Sequence, residues 1–492
     1  MGQLIAGADL SRSVDAIFVN APLRDYTERP RVNDFTLPVL GLGYLATYAA
    51  KRGLNVGVLD AEAHGLSIAD TVRTINAVRP RWVGLNLLAP TYELSARIAS
   101  GLDQDIALML GGHQAKAMPA EILHDTRMTR CEALVIGEGE TRVFELLDDV
   151  GNRSRLPGVM WLDAARGAVV TGVGTNAAHH LAPDINALPF VDREFLAQDP
   201  YRIPGEPLEA AMVGARGCPY DCSFCGAAVS ANPDITIRVR TAENIMKEMY
   251  ELRGVGVKAF RFVDDLFLGA NRVIKTMREA FLAENVGEWA VWDATGRINV
   301  LDRVSDDVLD SLVKCGLREV ALGIESGSER MLGRIDKRIS PEMTIRTVRR
   351  LTERGIAVKG YFILGMPTET AEELDQTVAL VRRLWAEADA AKGSFRSSVF
   401  EFRPYPGTAD WHRLMATGRY RREELLAYTA VDLSADGCHE FMRERDEFNF
   451  SVNLQFSEVP VEYVRKRLTE LTREQFERTT ERRTAPQSAA TS

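Results

Sequence analysis

The chain has 492 residues, enough for two or three domains with substantial cores, and its 46% hydrophobic and 26% charged composition is that of a globular protein. A formal net charge of −9 gives a nucleic-acid partner no electrostatic support. No apolar run reaches membrane-spanning length, and the longest, such as 82–88, have the length of buried strands.

Over the first 150 residues, short β-branched or leucine-rich runs at 15–20, 55–60, 82–88, 106–112 and 132–137 alternate with helical patterns such as 39–52 and 67–78. This alternation predicts a doubly wound, Rossmann-like parallel sheet covered on both faces. Ligands of such sheets bind beyond the carboxyl ends of the strands. The candidate loops read Asn20-Ala-Pro-Leu-Arg24, Asp60-Ala-Glu-Ala-His64-Gly65, Leu87-Leu-Ala-Pro-Thr91, Gly111-Gly-His-Gln114 and Gly137-Glu-Gly-Glu140. Glycine at a strand end lets backbone approach a ligand closely. Read singly, each loop is also an ordinary tight turn. None is a G-x-G-x-x-G loop opening a helix, so a nicotinamide site gains no support.

Residues 151–207 predict a small hairpin, 157–161 with 168–172, and an extended linker over 181–190, where Pro183 and Pro189 bar a helix. From residue 208 to 408 the alternation restarts, with strands at 210–214, 259–264, 290–294, 319–324, 358–364 and 397–402 and helices such as 242–252 and 341–354. Six such units predict a partial (β/α)6 barrel whose chemistry lies at the carboxyl ends of its strands.

The first of these strands delivers Gly217-Cys-Pro-Tyr-Asp-Cys-Ser-Phe-Cys-Gly226. Cys218, Cys222 and Cys225 are half of the six cysteines, gathered within eight residues. Three thiolates on one loop suit an iron–sulfur cluster. A 4Fe–4S cube held by three cysteines keeps one iron open for another ligand. A structural zinc site would use a second cysteine pair, and there is none. Cys131, Cys315 and Cys438 are isolated and read as buried thiols. Free thiols, an oxygen-sensitive cluster and an N-terminus without a secretory pattern predict a cytoplasmic protein without disulfides.

The later strands end in polar residues: Asp264 and Asp265; Arg297; Glu325 and Ser326; then Gly360 to Gly365, followed by Pro367 and Glu369. Carboxylates and an arginine turned inward are costly to bury without a partner, which favours a ligand site. Helix capping by Asp265 or Ser326 is the structural alternative. Arg403-Pro-Tyr-Pro-Gly-Thr408 closes the barrel. Residues 409–492 form a small C-terminal segment over the substrate side, with a charged helix near 461–478 and a disordered tail from Thr480. Within it, His439, Arg443 and Arg445 read as surface and packing residues, with capping of the substrate cavity as the functional alternative.

The C-x3-C-x2-C spacing with Phe224 before the last cysteine resembles the radical S-adenosylmethionine (SAM) superfamily. The resemblance covers roughly residues 15–410, through Phe-Val-Asp-Asp265, Gly-Ile-Glu-Ser-Gly327 and Leu-Gly-Met-Pro-Thr-Glu-Thr370. It implies a 4Fe–4S cluster on the three cysteines and SAM chelated to the fourth iron. Phe224, Asp264, Asp265, Arg297, Glu325, Ser326, Gly360 and Gly365 would then line the SAM site. The turns Gly-Gly-His113 and Gly-Glu-Gly-Glu140 resemble the cobalamin-binding domain found in front of many radical SAM enzymes. That resemblance implies cobalamin contacts from Thr91, Gly111, Gly112, His113, Gly137, Glu138, Gly139 and Glu140. The usual D-x-H-x-x-G signature is absent, so cobalamin is expected with no protein histidine on cobalt, His64 and His113 included.

Methylation of an unactivated carbon of a small-molecule, natural-product intermediate is the activity this resemblance implies. A flavodoxin or ferredoxin would supply the electrons, and neither nucleic acid nor membrane is expected as a partner. Two alternatives remain: a non-methylating radical SAM enzyme, such as an aminosugar diol dehydratase, a cyclase or a rearrangement enzyme with a vestigial cobalamin domain, and a non-enzymatic metal-binding module.

Overall fold

The computed structural model describes residues 4–28, 38–172, 182–196, 207–227, 237–430 and 450–484. Cys438, His439, Arg443 and Arg445 lie outside the described residues. The described residues fall into two compact units, one drawn from 4–267 and 404–428 and the other from 268–403 and 429–484.

The first unit is built on an eight-stranded sheet: β1 (Ile5–Ala6), β2 (Ala16–Asn20), β3 (Val56–Asp60), β4 (Trp82–Asn86), β5 (Ala107–Gly111), β6 (Cys131–Val135), β7 (Val159–Asp163) and β8 (Ala168–Thr171), in the order β1-β3-β2-β4-β5-β6-β7-β8. β2 to β6 are parallel. Their apolar residues alternate between two cores. Ile17, Val19, Val83, Leu85, Leu108 and Leu110 pack with Ile75, Ile98 and Ile122 of the helices on one face. Phe18, Val56, Val58, Trp82, Met109 and Val135 pack with Leu42, Ala46, Val143 and Leu146 on the other. Continuous apolar runs are what a parallel sheet covered on both sides requires. The hairpin expected in the linker is instead part of this sheet, because β7 pairs antiparallel with β6 through Val135 and Val159.

The same unit contains a parallel pair, β9 (Glu209–Met212) and β12 (Ala259–Phe262), and a short antiparallel ladder, β10 (Ala215–Arg216) with β11 (Arg238–Val239). The second unit holds four parallel strands in sequence order, β13 (Val291–Gly296), β14 (Leu317–Glu325), β15 (Ala357–Leu364) and β16 (Ser394–Glu401). All six strands expected over 208–402 are therefore present and alternate with helices.

Caps set the helix starts. Ser340 and Thr370 accept the backbone N–H three residues on, and Thr370 completes a capping box with Glu373. The last helix runs over Val461–Thr484, into the first residues of the tail expected from Thr480; residues 485–492 lie outside the described residues. Before Thr480 it is anchored by side chains: Arg382 pairs with Glu474, and Gln475 accepts from Trp385 Nε1 and the Ser397 N–H.

One buried carboxyl holds the turn after β15. Gly365 has φ +80° and donates its N–H to Glu369 Oε2 at 2.6 Å. Glu369 is fully buried, and burial pushes its carboxyl up to about 8, against the pull of the Gly365 and Met366 N–H groups. Between the unfolded value of 4.5 and about 8, the unfolded chain releases this proton while the folded chain keeps it, so stability falls as pH rises through that window. The slope approaches roughly 1.4 kcal/mol per pH unit. Glu369→Gln keeps the acceptor for Gly365 and removes the titration. Its melting temperature is expected to match the natural protein near pH 5 and to exceed it by several degrees near pH 8; equal pH dependence in the two proteins would refute the assignment.

Candidate functional site

At the carboxyl ends of β2, β4, β5 and β6 a cleft opens between the sheet and the helices Leu40–Ala50 and Glu140–Asp148. Its walls are Phe18, Leu42, Leu45, Met109, Val135 and Val143, with Gly84, Gly111, Gly112, Gly137 and Gly139 between them. Three of these glycines are required by conformation or space, Gly137 by its φ of +82°. Gly112 has φ +99°, and a Cβ there would stand 2.5 Å from Asn86 Oδ1; a Cβ at Gly84 would stand 2.7 Å from the Phe18 ring. This is the crevice beside the point where strand order reverses, between β2 and β4. An apolar slot lined by glycines fits a flat ring system.

Thr91 is buried in the turn after β4, outside this lining. His113 opens the helix His113–Ala117 and faces Asp265, the residue after Asp264 at the end of β12. Solvent reaches both side chains, yet protein atoms also surround both closely. Burial lowers the His113 imidazole, opposed by Asp265 and assisted by Lys116, and burial raises the Asp265 carboxyl, opposed by His113.

The cysteine loop is held from three sides. Before it, Asp264 accepts the Gly214 N–H at 2.9 Å; burial pushes this carboxyl up to about 8, against the backbone donors of Ala215 and Gly214. At its entrance, Arg216 forks onto Glu138 Oε2 at 2.6 Å and Glu140 Oε1 at 2.7 Å, while Arg238, its ladder partner, also binds Glu138. Within it, Ser223 Oγ donates to Asp410 Oδ2 at 2.9 Å, and the Asp410 N–H returns to the Ser223 carbonyl. The carboxylates of Glu138 and Glu140 are thus taken by arginines of the segment that leads to Cys218.

Cys222 is buried, Cys218 and Cys225 are half-buried beside the half-buried Phe224, and all three are without disulfides. Among the described residues no three His, Cys, Asp or Glu side chains form a ready metal cage. The donor set, three thiols on one anchored eight-residue loop, fits a cluster of soft iron.

In the second unit, Glu325 ends β14 at a register shift with φ +67°. A bulge re-aims a side chain, and here the Glu325 carboxylate reaches Lys337 Nζ at 2.5 Å. Arg297 Nη2 donates to the Lys337 carbonyl at 2.7 Å. Arg297, Glu325 and Lys337 are all buried. Asp336 and Arg338, on either side of Lys337, also have left-handed backbone, at φ 53° and 58°. Non-glycine residues hold such angles at a cost of about 1–3 kcal/mol each, and they gather at ligand sites.

Ser326 Oγ accepts the Ser328 N–H, and Ser328, not Ser326, caps the following helix. Asp265 caps no helix either; the helix after β12 begins behind Ala270. Gly360 lies under the Phe395 ring, where a Cβ would stand 2.7 Å away. Lys337, Arg216, Arg238 and Asp410 were not singled out from sequence. The signal for Arg216 was its place two residues before Cys218; Lys337 and Asp410 stand in no motif.

A doubly wound domain with a glycine-lined crevice, followed by parallel βα units and a three-cysteine loop, defines a corrinoid-type domain joined to a radical-generating core. The B12 binding domain family matches residues 32–147, and the Radical SAM superfamily matches residues 212–381. The chain is therefore a radical SAM superfamily enzyme with an N-terminal cobalamin-binding-type domain, and its cofactors are a 4Fe–4S cluster, SAM and cobalamin. An uncharacterized methyltransferase of Pyrococcus horikoshii is 28% identical over 411 residues, 82% of this chain and 84% of that protein. The anaerobic magnesium-protoporphyrin IX monomethyl ester cyclase of Rubrivivax gelatinosus is 27% identical over 359 residues, 70% of this chain and 62% of that protein. Among solved structures, the radical SAM methyltransferase TsrM of Kitasatospora setae shares the fold, with a TM-score of 0.63 at 19% identity over 82% of this chain and 76% of that one.

Removing one partner of a buried ion pair leaves the other uncompensated. Arg216→Met is expected to lower stability by roughly 3 kcal/mol and to reduce iron retained per chain, because Glu140 is buried. Adding Glu140→Gln is expected to recover part of both losses. Denaturant unfolding with iron analysis checks this, and a double variant no better than the single one counts against the clamp.

Proposed function

We propose that the protein methylates a carbon of a small-molecule substrate with the radical SAM and cobalamin cofactors acting together. Cys218, Cys222 and Cys225 would hold the cluster. Arg297, Glu325 and Lys337 would hold the polar groups of SAM, with Phe224, Asp265, Ser326 and the Gly360–Gly365 backbone around it. The crevice lined by Gly84, Gly111, Gly112, Gly137 and Gly139 would hold cobalamin, with no histidine on cobalt. The observation that carries the reading is that one chain contains both a glycine-lined crevice and an anchored three-cysteine loop, tied to each other through Glu138, Glu140 and Arg216.

When bound, these groups supply a hydrogen-abstracting 5′-deoxyadenosyl radical and a transferable methyl group. The balance is then fixed. Substrate C–H becomes C–CH3; one SAM ends as methionine and 5′-deoxyadenosine, which carries the abstracted hydrogen, and the other ends as S-adenosylhomocysteine. Two electrons enter, for which a flavodoxin or ferredoxin is the expected donor. The chain's own work is to fix the cysteine loop, to keep SAM's charges paired in a buried site, and to exclude water.

A second reading, a radical SAM enzyme that does not transfer methyl, rests on the similarity to the Rubrivivax cyclase. Products separate the two. Anaerobic protein reconstituted with iron, sulfide and hydroxocobalamin is expected to form S-adenosylhomocysteine as well as 5′-deoxyadenosine from SAM, and Cys222→Ala is expected to lose the brown colour and 5′-deoxyadenosine formation. 5′-Deoxyadenosine without S-adenosylhomocysteine would favour the second reading, and a colourless, zinc-loaded protein would end both.

Glu325→Gln is expected to weaken SAM binding about tenfold or more, the order of a charge-assisted contact, with iron content unchanged. Calorimetric SAM titration checks this; an insoluble variant alongside a soluble Lys337→Met would make the pair structural.

A further inference from the structure

The neck of the cysteine loop and a wall of the crevice meet in one turn. β10 and β11 pair Ala215 with Val239 and Arg216 with Arg238, so the segment bearing Cys218, Cys222 and Cys225 leaves and returns through a ladder of two rungs. A two-stranded ladder so short has little stability of its own. Both of its arginines reach out to the turn after β6. Arg216 Nη1 donates to Glu138 Oε2 at 2.6 Å and its Nη2 to Glu140 Oε1 at 2.7 Å, and Arg238 also binds Glu138. The same turn lines the crevice with Gly137 and Gly139.

A second contact joins the same two places. The helix Leu40–Ala50 lines the crevice with Leu42 and Leu45, and between them in sequence Tyr44 places its ring centroid 4.9 Å from the Arg216 guanidinium carbon. The main chain around the clamp is held as well. Arg142 donates to the Glu138 carbonyl and, at 3.0 Å, to that of Pro157, while Arg238 Nη1 donates to the Pro183 carbonyl at 3.1 Å. The Arg216 and Glu140 side chains are only 17% and 5% exposed, so salt screens their contact little. Continuous networks of ion pairs and packed rings of this kind carry coupling between sites.

We infer that the crevice and the cysteine loop are thermodynamically linked. A corrinoid against Gly137 and Gly139 fixes the turn that grips the neck of the loop, and a cluster on the loop fixes the neck that grips the turn. Each ligand therefore strengthens the hold on the other, and by reciprocity the two effects are equal in free energy. The inference rests on the proposed function for what fills each site; the linkage itself belongs to Arg216, Arg238, Glu138 and Glu140.

Anaerobic equilibrium dialysis of the full chain against hydroxocobalamin tests it, once with the cluster reconstituted and once with the iron stripped by chelator. The cluster-loaded protein is expected to bind about tenfold tighter, inside the range that such couplings span. Arg216→Lys keeps the charge but cannot fork onto both acids, and it is expected to bring the two affinities within about twofold of each other; a merely structural defect would weaken both alike. Arg238→Gln leaves Glu138 its bond to Arg216 and is expected to cut the ratio to about threefold, which keeps the test decisive if the lysine variant does not retain a cluster. Equal affinities in the natural protein, or an undiminished ratio in the variants, would overturn the linkage and leave the function reading standing. No saturable hydroxocobalamin binding in either state would overturn that reading and the linkage with it.

Discussion

The arrangement turns on one guanidinium. Arg216 leads directly into the cysteine loop and lies between two carboxylates of the turn that follows β6, Glu138 and Glu140. It also covers the Tyr44 ring, 4.9 Å from its centroid. A planar fork that meets two acids and an aromatic face at once has little freedom left. The loop that carries the thiols therefore takes its position from the domain that carries the crevice. A lysine could neutralise one acid but would not span both.

Buried charge is handled by the same logic in the second unit, in a different form. Glu325 and Lys337 face each other inside the protein, and the chain accepts left-handed backbone at Glu325, Asp336 and Arg338 to bring them together. Left-handed angles at non-glycine residues persist only where the surroundings over-determine them. Asp264 and Glu369 take the other course. Each spends its carboxyl on backbone N–H groups at a turn, and burial keeps each proton bound to higher pH. Two carboxyls thus shape turns, and one takes part in an ion pair at the candidate site.

Much of this was legible in the sequence, and the reasons are specific. The parallel strands announce themselves because burial on both faces demands unbroken apolar runs such as Ala-Ile-Phe-Val at β2. The cysteine loop is legible because few chemistries need three thiols in eight residues. Lys337 was not legible, because it meets Glu325 only through a bulge and a local backbone strain that no periodicity encodes. Asp410 was hidden for a similar reason: its partner Ser223 lies 187 positions earlier. The roles of Glu138 and Glu140 were obscured by their own motif, since a glycine-rich turn with acids reads equally well as a ligand loop and as an anchor. The hairpin at β7 and β8 was visible as a hairpin, but its pairing with β6 depends on a register that only the folded sheet defines.

That register has a consequence for the molecule in a crowded solution. A sheet that ended at β6 would expose a full-length edge with unpaired amides, a template for another chain to join. Here β7 and β8 cover that edge, and the far edge is closed by β1, a strand of only two residues, Ile5 and Ala6. An edge so short offers almost no ladder for a stranger to extend. The additions at both sides thus leave the sheet with edge strands of four and two residues in place of five, and so with less ladder for another copy to extend.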